Sequence, residues 1–454
     1  MRTRSPCAVR PLNAPKEEST SRTRLARTCP ASVNHAPAAP CSNARTTPPE
    51  HNARMTTPRI LITGASIAGP ALAFWMRKLG WEVVLLERAK AFRRGGQNID
   101  VRGPGRDALA AMGLLDAVKG RNTTEQAWTF VDEDNTVIAR FGQEEFGGEG
   151  PTAELEILRG DLASIVDEAG DGVEHRYGDW IETLHDDGAG VEVSFHSGAK
   201  ERFDLVVAAE GARSRTRELV LGQSTTLEPF GLSSAYFSIP KGQNDHQDAR
   251  WFNAPGGRSV FLRPDAQGRT RVVLSIQEQP SGWDDLEPQA QKQKIAERFA
   301  DAGWETPRVL EGLWATDDFY FHSIELVKMP RFNKGRVVMT GDAAWAVMGS
   351  GTTLALIGPY VLAGELAKGG DIAAALDRYN DVMRPFVDKA QDIPSWGPKA
   401  LQPQSRAGIG IQHALLKVAA SPAVRPLIAR FASGGSGLPE LPAYPELTGR
   451  TRVG

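Results

Sequence analysis

The chain has 454 residues, a formal net charge of −2, 41% apolar residues and 24% charged residues, an ordinary globular composition. A balance this close to neutral gives no overall electrostatic reason to expect nucleic acid or an anionic membrane as the partner. No uninterrupted apolar run is long enough to cross a bilayer. We therefore expect a cytoplasmic protein with no integral membrane segment that binds no nucleic acid, either a monomer or a weak dimer.

Residues 1–54 are rich in Arg, Ser, Thr, Pro and Ala and nearly free of large apolar side chains. Such a composition predicts a disordered extension, or a stretch upstream of the true start at Met55. A transit peptide is the less favoured alternative, because several prolines oppose an amphipathic helix. The only cysteines, Cys7, Cys29 and Cys41, lie here, so the body of the chain has no disulfide, thiolate metal site or cysteine nucleophile. No Cys/His spacing indicates a metal site.

Residues 59–87 predict a strand, a glycine turn, a helix over 67–79 and a second strand ending in an acid. Gly64, Ser66 and Gly69 occupy the three glycine positions of a G-x-G-x-x-G pattern, with serine in the middle. Small residues there let backbone N–H groups approach a pyrophosphate, and an acid such as Glu87 binds ribose hydroxyls. The pattern favours a dinucleotide site over a purely structural turn, but it does not separate NAD from FAD.

Two further stretches have the same strand-then-glycine form. Residues 204–217 predict a buried strand followed by the pair Glu210–Gly211. Residues 335–367 predict another buried strand, the acid Asp342, a loop containing glycine, and an apolar helix over 352–367. The N-terminus of that helix can direct N–H groups at a negatively charged ligand.

In this order, the three motifs resemble those of the class A flavoprotein aromatic hydroxylases, the p-hydroxybenzoate hydroxylase fold. Among them the tetracycline-inactivating flavin monooxygenases are the most similar. The resemblance extends over residues 59–391 and implies an α/β fold. It consists of a Rossmann-like FAD-binding domain, an inserted antiparallel β-sheet substrate domain and C-terminal helices.

The resemblance also implies contacts for individual residues. FAD contacts of the family are matched by the residues of the glycine turn, by Glu87 with the adjacent Arg88, and by Asp100, Arg159 and Asp342. The N-terminus of the apolar helix over 352–367 also matches an FAD contact. Arg93 approximately matches an arginine used for the nicotinamide cofactor, and Glu210–Gly211 matches a motif linked to both cofactors. The implied cofactor-binding set is Gly64, Ser66, Ile67, Ala68, Gly69, Glu87, Arg88, Arg93, Asp100, Arg159, Glu210, Gly211, Asp342, Gly351 and Thr352.

The chain departs from the family at three points. Glu210 stands where aspartate is usual, Trp345 stands where another aromatic residue or histidine is usual, and the loop 346–351 is shorter and lacks a proline. No catalytic side chain can be named from spacing. His322 is a possible polar contact to substrate, although a lone histidine is more often structural.

The family's domain order predicts an alternation of flavin and substrate segments. Short alternating stretches near residues 127–150 and 225–327 predict the antiparallel sheet. Six of its aromatic residues are candidates to line a pocket, although core packing is the commoner role for each: Trp251, Phe252, Phe261, Phe319, Tyr320 and Phe321. The predicted segments are an extension (1–54), the FAD-binding domain (55–126, 151–224 and 328–370), the substrate domain (127–150 and 225–327), C-terminal helices (371–434) and a disordered tail (435–454).

The function that the resemblance implies is an FAD-dependent monooxygenase. NADPH or NADH binds transiently and reduces FAD, O2 adds to give a flavin hydroperoxide, and an aromatic or polyketide-like small molecule is hydroxylated. One alternative is an FAD-dependent reductase or dehydrogenase without oxygen insertion, because a fold does not determine a function. A second is a flavin-fold binding protein with impaired redox activity, favoured only by Glu210 and the short loop.

Overall fold

The structure is a computed structural model that describes residues 57–93, 95–123, 125–143, 155–265, 267–279, 281–394, 396–426 and 437–449. The predicted extension 1–54, with its three cysteines and Met55, lies outside these residues, as do residues 144–154. All described residues belong to one unit, Thr56–Gly454.

The strands follow the buried or alternating apolar runs of the sequence. In chain order they are β1 (Arg59–Thr63), β2 (Glu82–Glu87), β3 (Asn98–Asp100), β4 (Ala127–Val131), β5 (Val137–Gly142), β6 (Glu156–Leu158), β7 (Glu174–Tyr177), β8 (Ile181–Asp186), β9 (Val191–Phe195), β10 (Lys200–Phe203), β11 (Leu205–Ala208), β12 (Thr226–Pro240), β13 (Asp248–Ala254), β14 (Arg258–Pro264), β15 (Arg269–Ile276), β16 (Tyr320–Lys328), β17 (Asn333–Lys334) and β18 (Val337–Met339).

The helices connect and cover these strands. In chain order they are α1 (Ala68–Lys78), α2 (Pro104–Met112), α3 (Leu115–Lys119), α4 (Arg159–Glu168), α5 (Arg215–Leu221), α6 (Pro288–Phe299), α7 (Thr306–Ala315), α8 (Asp342–Trp345), α9 (Gly351–Ala367), α10 (Ile372–Gln391), α11 (Gly397–Leu401), α12 (Arg406–Ala419) and α13 (Pro445–Thr448). Among the described residues, no helix is long and apolar enough to cross a membrane.

A six-stranded sheet in the order β17-β18-β11-β1-β2-β7 forms the first core. Its neighbours pair in parallel from β18 to β7, and β17 alone is antiparallel. β1, β2 and β11 are almost wholly buried, as expected for parallel strands covered on both faces. The carboxyl ends of β1, β11 and β18 therefore meet at one edge, and each is followed by one of the three motifs.

A seven-stranded sheet in the order β16-β12-β15-β14-β13-β4-β5 forms the second core. It is antiparallel except where β13 pairs with β4. One face packs on α6 and α7 through Ile295, Phe299, Val309 and Leu313. The sheet interrupts the flavin-domain segments along the chain, so the predicted fold class is confirmed.

The prediction of a disordered tail is wrong for residues 437–449. This segment includes α13, and the side chains of Tyr444 and Leu447 are 1% and 0% exposed. The Tyr444 ring lies on Gly364 of α9, where a β-carbon would come within 2.3 Å of the ring. Glycine and proline dominate the composition of the tail, but two apolar anchors are enough to order it against an existing core.

Candidate active site

The turn between β1 and α1 is so tight that its glycines are required. Gly64 has a φ of +99°, which glycine adopts without strain. A β-carbon on Gly69 would lie 1.9 Å from the carbonyl oxygen of Gly64. α1 begins at its N-cap residue, Ile67, with no side-chain cap and no acid in its first turn. The N–H groups near Ile67 and Ala68 are therefore suited to an anion, as a pyrophosphate requires.

Glu87 ends β2 beside this turn. Its carboxylate accepts hydrogen bonds from the backbone N–H of Ala65 (2.9 Å) and of Ala89 (2.7 Å). Both bonds fix the carboxylate at the edge where a ribose would meet the turn. Arg88, next in the chain, is exposed.

Arg159, the first residue of α4, connects the turn to the preceding loop. Its guanidinium donates to Ser66 Oγ (2.8 Å) and to the Gly95 carbonyl (3.3 Å). Burial lowers the pKa of Arg159, and Arg93 and Asp342 are among the charged groups that act on it. Arg93 itself is exposed. Arg159 thus supplies a partly desolvated cation beside the glycine turn.

Asp342 follows β18 and begins α8. Its side chain is accessible to water, yet surrounding protein raises its pKa by desolvation, which Arg159 partly opposes. The carboxylate therefore faces a recess and not the outer surface. Gly351, the first residue of α9, is so close that a β-carbon there would lie 3.5 Å from Asp342 Oδ1. Thr352 follows it in the first turn of α9, which has no side-chain cap.

Asp100 ends β3 on the way to α2. Its Oδ2 pairs with Arg102 Nη2 at 2.7 Å, while its Oδ1 is buried without a hydrogen-bond partner among the described residues. The backbone N–H of Arg102 donates to Thr353 Oγ1 (3.3 Å), which ties this strand to the start of α9. Asp100 is thereby held near Gly351 and Thr352.

Glu210 and Gly211 lie at the end of β11. The carboxylate of Glu210 accepts hydrogen bonds from Ser214 Oγ (2.8 Å) and from the N–H (2.9 Å) and Oγ1 (2.6 Å) of Thr216. It therefore fixes the start of α5 and does not point freely into a site. Gly211 has a φ of +87°. A β-carbon on Gly64 would meet the Ala209 carbonyl at 2.3 Å, so this motif packs directly against the glycine turn.

A buried charge cluster joins the two sheets, and the sequence did not predict it. Arg263 on β14 pairs with Glu125 (Nε–Oε2, 2.8 Å) and with Glu156 on β6. Glu156 also accepts hydrogen bonds from Asn98 Nδ2 (2.8 Å) and from Thr123 Oγ1. Glu156 is 1% exposed and Arg263 8%. The sequence signal for this cluster was the arginine at the end of the apolar run of β14, because a buried charge needs a partner.

Glu156 is the proton-binding member of this cluster. Burial raises the pKa of Glu156 to about 8; Arg263 opposes the rise, and Glu125 and Asp100 add to it. Between pH 4.5, the usual glutamate pKa, and about pH 8, Glu156 is therefore protonated in the folded protein but ionised in the unfolded chain. The free energy of unfolding contributed by this group falls as the pH rises through that window.

The substitution Glu156→Gln should weaken this pH dependence, because an amide stays neutral. We expect the urea midpoint of the wild type to fall more between pH 6 and pH 8.5 than that of the variant. Glu192→Gln, at a side chain 69% exposed, is the matched control and should follow the wild type. Parallel declines in wild type and Glu156→Gln would contradict the assignment.

Three stacked side chains lie on the Arg263 face of the seven-stranded sheet. Tyr236 on β12 lies directly opposite Tyr320 on β16. His322 follows Tyr320 by two residues on β16 and therefore points to the same face of the sheet. The rings are separated by 5.8 Å (Tyr236–His322), 5.3 Å (Tyr320–His322) and 6.3 Å (Tyr236–Tyr320). Burial raises the pKa of Tyr236 to about 12 and lowers the pKa of His322, so the stack is neutral near pH 7. Burial raises the pKa of Tyr320, and Arg159 and Asp342 are among the charged groups that act on it, so this ring of the stack lies near both of them.

The strand alternation divides the six aromatic pocket candidates. Trp251, Phe261 and Tyr320 share the face of the stack by strand register. Phe252 and Phe321 point to the opposite face and pack with α6 and α7. For those two the pocket interpretation is wrong, because neighbouring residues of a strand face opposite sides. Phe319 precedes β16 and also packs against the α6–α7 core.

A groove of about 600 Å³ between β16 and α10 is lined by Phe332, Arg384 and Gln391 among others. It contains none of the predicted cofactor residues.

The family described as "FAD binding domain" matches residues 57–393. The FAD-dependent monooxygenase asL6 of Sarocladium schorii is 35% identical over 420 residues, covering 86% of this chain and 99% of its own length. A flavin-dependent monooxygenase from Legionella longbeachae is 34% identical over 345 residues, covering 74% of this chain and 88% of its own length.

Among solved structures, the tetracycline destructase Tet(51) superimposes with a TM-score of 0.72 at 29% identity, covering 86% of this chain and 100% of that one. Tet(55) gives a TM-score of 0.71 at 30% identity, covering 86% and 99% of the two chains. A Klebsiella pneumoniae protein, HpxO, complexed with FAD and uric acid, shares the fold at 21% identity and a TM-score of 0.67, covering 84% and 97%.

Proposed function

The chain belongs to the FAD-binding-domain family of flavin-dependent monooxygenases, and we propose that it uses NAD(P)H and O2 to hydroxylate an aromatic or polyketide-like small molecule. The observation that supports this most is the convergence of three motifs at one edge of the parallel sheet, opposite a stacked aromatic wall. FAD, when bound and reduced, supplies the electrons that activate O2.

The proposed FAD contacts fit the chemistry of that cofactor. The uncapped start of α1 and the guanidinium of Arg159 suit the pyrophosphate, and Glu87 suits the adenosine ribose. Asp342 and the uncapped start of α9 suit the polar chain and the ring edge where negative charge develops. Asp100, held beside α9, offers a buried oxygen without a protein partner among the described residues.

The proposed reductant is NADPH or NADH, bound transiently. Among the described residues, only the β1–α1 turn has the form of a dinucleotide-binding turn. The nicotinamide cofactor would then have to use residues near the flavin, for which Arg93 and the Glu210–Gly211 motif are the proposed contacts. The carboxylate of Glu210 is already hydrogen-bonded to Thr216 at the start of α5. We therefore propose that Glu210 holds the motif in shape and does not itself contact either cofactor.

The proposed substrate wall is the stack of Tyr236, Tyr320 and His322. Its rings are nearly parallel, with interplanar angles of 17° to 29°, and are neutral near pH 7. Such a surface favours a planar, electron-rich molecule, which offset stacking holds against it. Because Tyr320 lies near Asp342 and Arg159, a molecule stacked on its ring would be held close to the proposed flavin site.

Tyr320→Leu tests this wall, because it removes the ring that faces the recess and leaves the FAD contacts in place. We expect KM for the substrate to rise roughly two- to twelvefold while FAD affinity is unchanged, since aromatic pairs contribute roughly 0.5–1.5 kcal/mol beyond area burial. Tyr177→Leu, at a residue 36% exposed on β7, is the control and should leave KM unchanged. A wild-type KM in Tyr320→Leu would contradict the proposed wall.

The deciding experiment is an absorbance titration of the full chain with FAD, followed by anaerobic addition of NADPH and NADH in turn. Flavin bands that bleach with one nucleotide, and O2 uptake coupled to product when substrates are screened, would support the monooxygenase. Bleaching without coupled O2 uptake would favour a reductase or dehydrogenase. Failure to bind FAD would leave a flavin-fold binding protein.

Asp342→Asn should weaken FAD binding, while Asp317→Asn, outside the proposed contacts, should not.

A further inference from the structure

Helix α12 packs one face on one end of the seven-stranded sheet, and among the described residues nothing covers its other face. Leu416 and Ala419 pack on the aromatic cluster of β4, β5 and β13. Ile411, Leu415 and Val418 point away, with exposed fractions of 64%, 65% and 57%. Ala407, Gly410 and Ala414 complete this outer face, and all three are exposed. The spacing is that of one continuous apolar helical stripe, which we call the outer α12 stripe.

The charged residues of the chain segment that carries the stripe have one sign. From residue 393 to residue 439 the chain has five lysines and arginines and no aspartate or glutamate. Arg406 and Lys417 are exposed on α12 itself, and Lys399 is exposed on the preceding helix, α11. Asp132, on a neighbouring turn, acts on His413, which belongs to the half-buried side of α12. The net charge of the whole chain is nevertheless −2, because acidic residues elsewhere offset the excess of basic residues in this segment.

Two occupants of the stripe can be compared by charge. A second copy packed antiparallel would bring Arg406 close to Lys417 of the other copy, which costs electrostatic free energy. An anionic bilayer has the opposite charge and accepts apolar side chains below its headgroups, which is how basic amphipathic helices bind in the membrane plane.

We propose that the outer α12 stripe docks on an anionic lipid surface, with Ile411, Leu415 and Val418 entering the headgroup boundary and Lys399, Arg406 and Lys417 pairing with the headgroups. Trp396, 66% exposed just before α11, is the kind of residue that lies at such a boundary. The docking is peripheral and reversible. It is independent of the proposed reaction, because no residue of the stripe belongs to the proposed cofactor or substrate contacts.

The test is co-sedimentation of the full, FAD-loaded chain with vesicles of phosphatidylcholine alone or mixed with phosphatidylglycerol, at low and high salt. We expect binding to the mixed vesicles only, weakened by salt. Ile411→Ser/Leu415→Ser and Lys417→Glu should each weaken it about tenfold or more. Leu219→Ser, 46% exposed on α5, and Lys200→Glu, exposed on β10, are the controls and should bind as the wild type.

Three results would overturn the proposal. These are no vesicle binding by the wild type, equal binding to both kinds of vesicle, or full binding by the stripe variants. Light scattering on the same samples covers the competing occupant: a wild-type dimer that Ile411→Ser/Leu415→Ser dissociates would show that a second copy covers the stripe. Because binding is read out directly, failure of the proposed monooxygenase reaction would not affect the result.

Discussion

Replacing Gly69 with alanine is expected to weaken FAD binding by at least about tenfold and to destabilise the flavin domain, since forcing a methyl group into a packed site costs roughly 1–3 kcal/mol. The new β-carbon would lie 1.9 Å from the Gly64 carbonyl oxygen. That oxygen cannot retreat easily, because Gly64 is itself held against the Ala209 carbonyl, 2.3 Å from where its own β-carbon would be. The turn must therefore open, and the N–H groups at the start of α1 lose their alignment.

The matched control is Gly410→Ala, another glycine within a helix. No atom lies within 4 Å of a β-carbon at Gly410, so alanine should leave FAD binding unchanged and raise the stability of α12 by roughly 0.5–1 kcal/mol. FAD titration by flavin fluorescence and urea unfolding of both variants would make the comparison. Equal FAD affinity in Gly69→Ala and wild type would rule out the turn as the pyrophosphate site.

The parts of the fold that were predictable from sequence are those set by neighbouring residues. The run ILIT ends at Gly64, and an apolar helix follows within a few residues, so local spacing alone predicts β1, the turn and α1. The structure has α1 at Ala68–Lys78 within the predicted 67–79. The same reasoning predicted β11, β18 and α9, because each of the two buried strands is followed by glycine within three residues.

Contacts between distant residues were not predictable in this way. Arg159 and Ser66 are 93 residues apart, and Arg263 and Glu156 are 107 apart. No local period relates such pairs, and only the pairing of β3 with β6 under β14 brings the second pair together. Strand register likewise decided which of the adjacent residues Trp251 and Phe252 shares the sheet face of Tyr236 and Tyr320. For the candidate site, the sequence therefore predicts which residues bind anions but not which side chains surround them.

Tyr444→Ala is expected to lower the free energy of unfolding by roughly 3–5 kcal/mol, the usual cost of deleting a buried aromatic ring. The ring is 1% exposed and lies edge-on to Tyr360, 5.2 Å between centroids. Its hydroxyl donates to Glu365 Oε1 at 2.8 Å. Since Gly364 offers no side chain to fill the space, the cavity would remain open, and urea unfolding with the far-UV signal would report the loss.

Tyr444→Phe separates packing from hydrogen bonding at the same position. The ring stays, and Glu365 keeps Lys368 (2.8 Å) and Arg378 (2.8 Å) as partners, so we expect a loss of only about 1.5–3 kcal/mol for a bond to a charged group. Equal losses in the two variants would mean that the hydroxyl, and not the ring, anchors the tail. A loss near zero in both would mean that the tail contributes nothing to α9. Because α9 begins at Gly351 beside Asp342, a tail that stabilises its far end also helps to hold the proposed flavin contacts at its start.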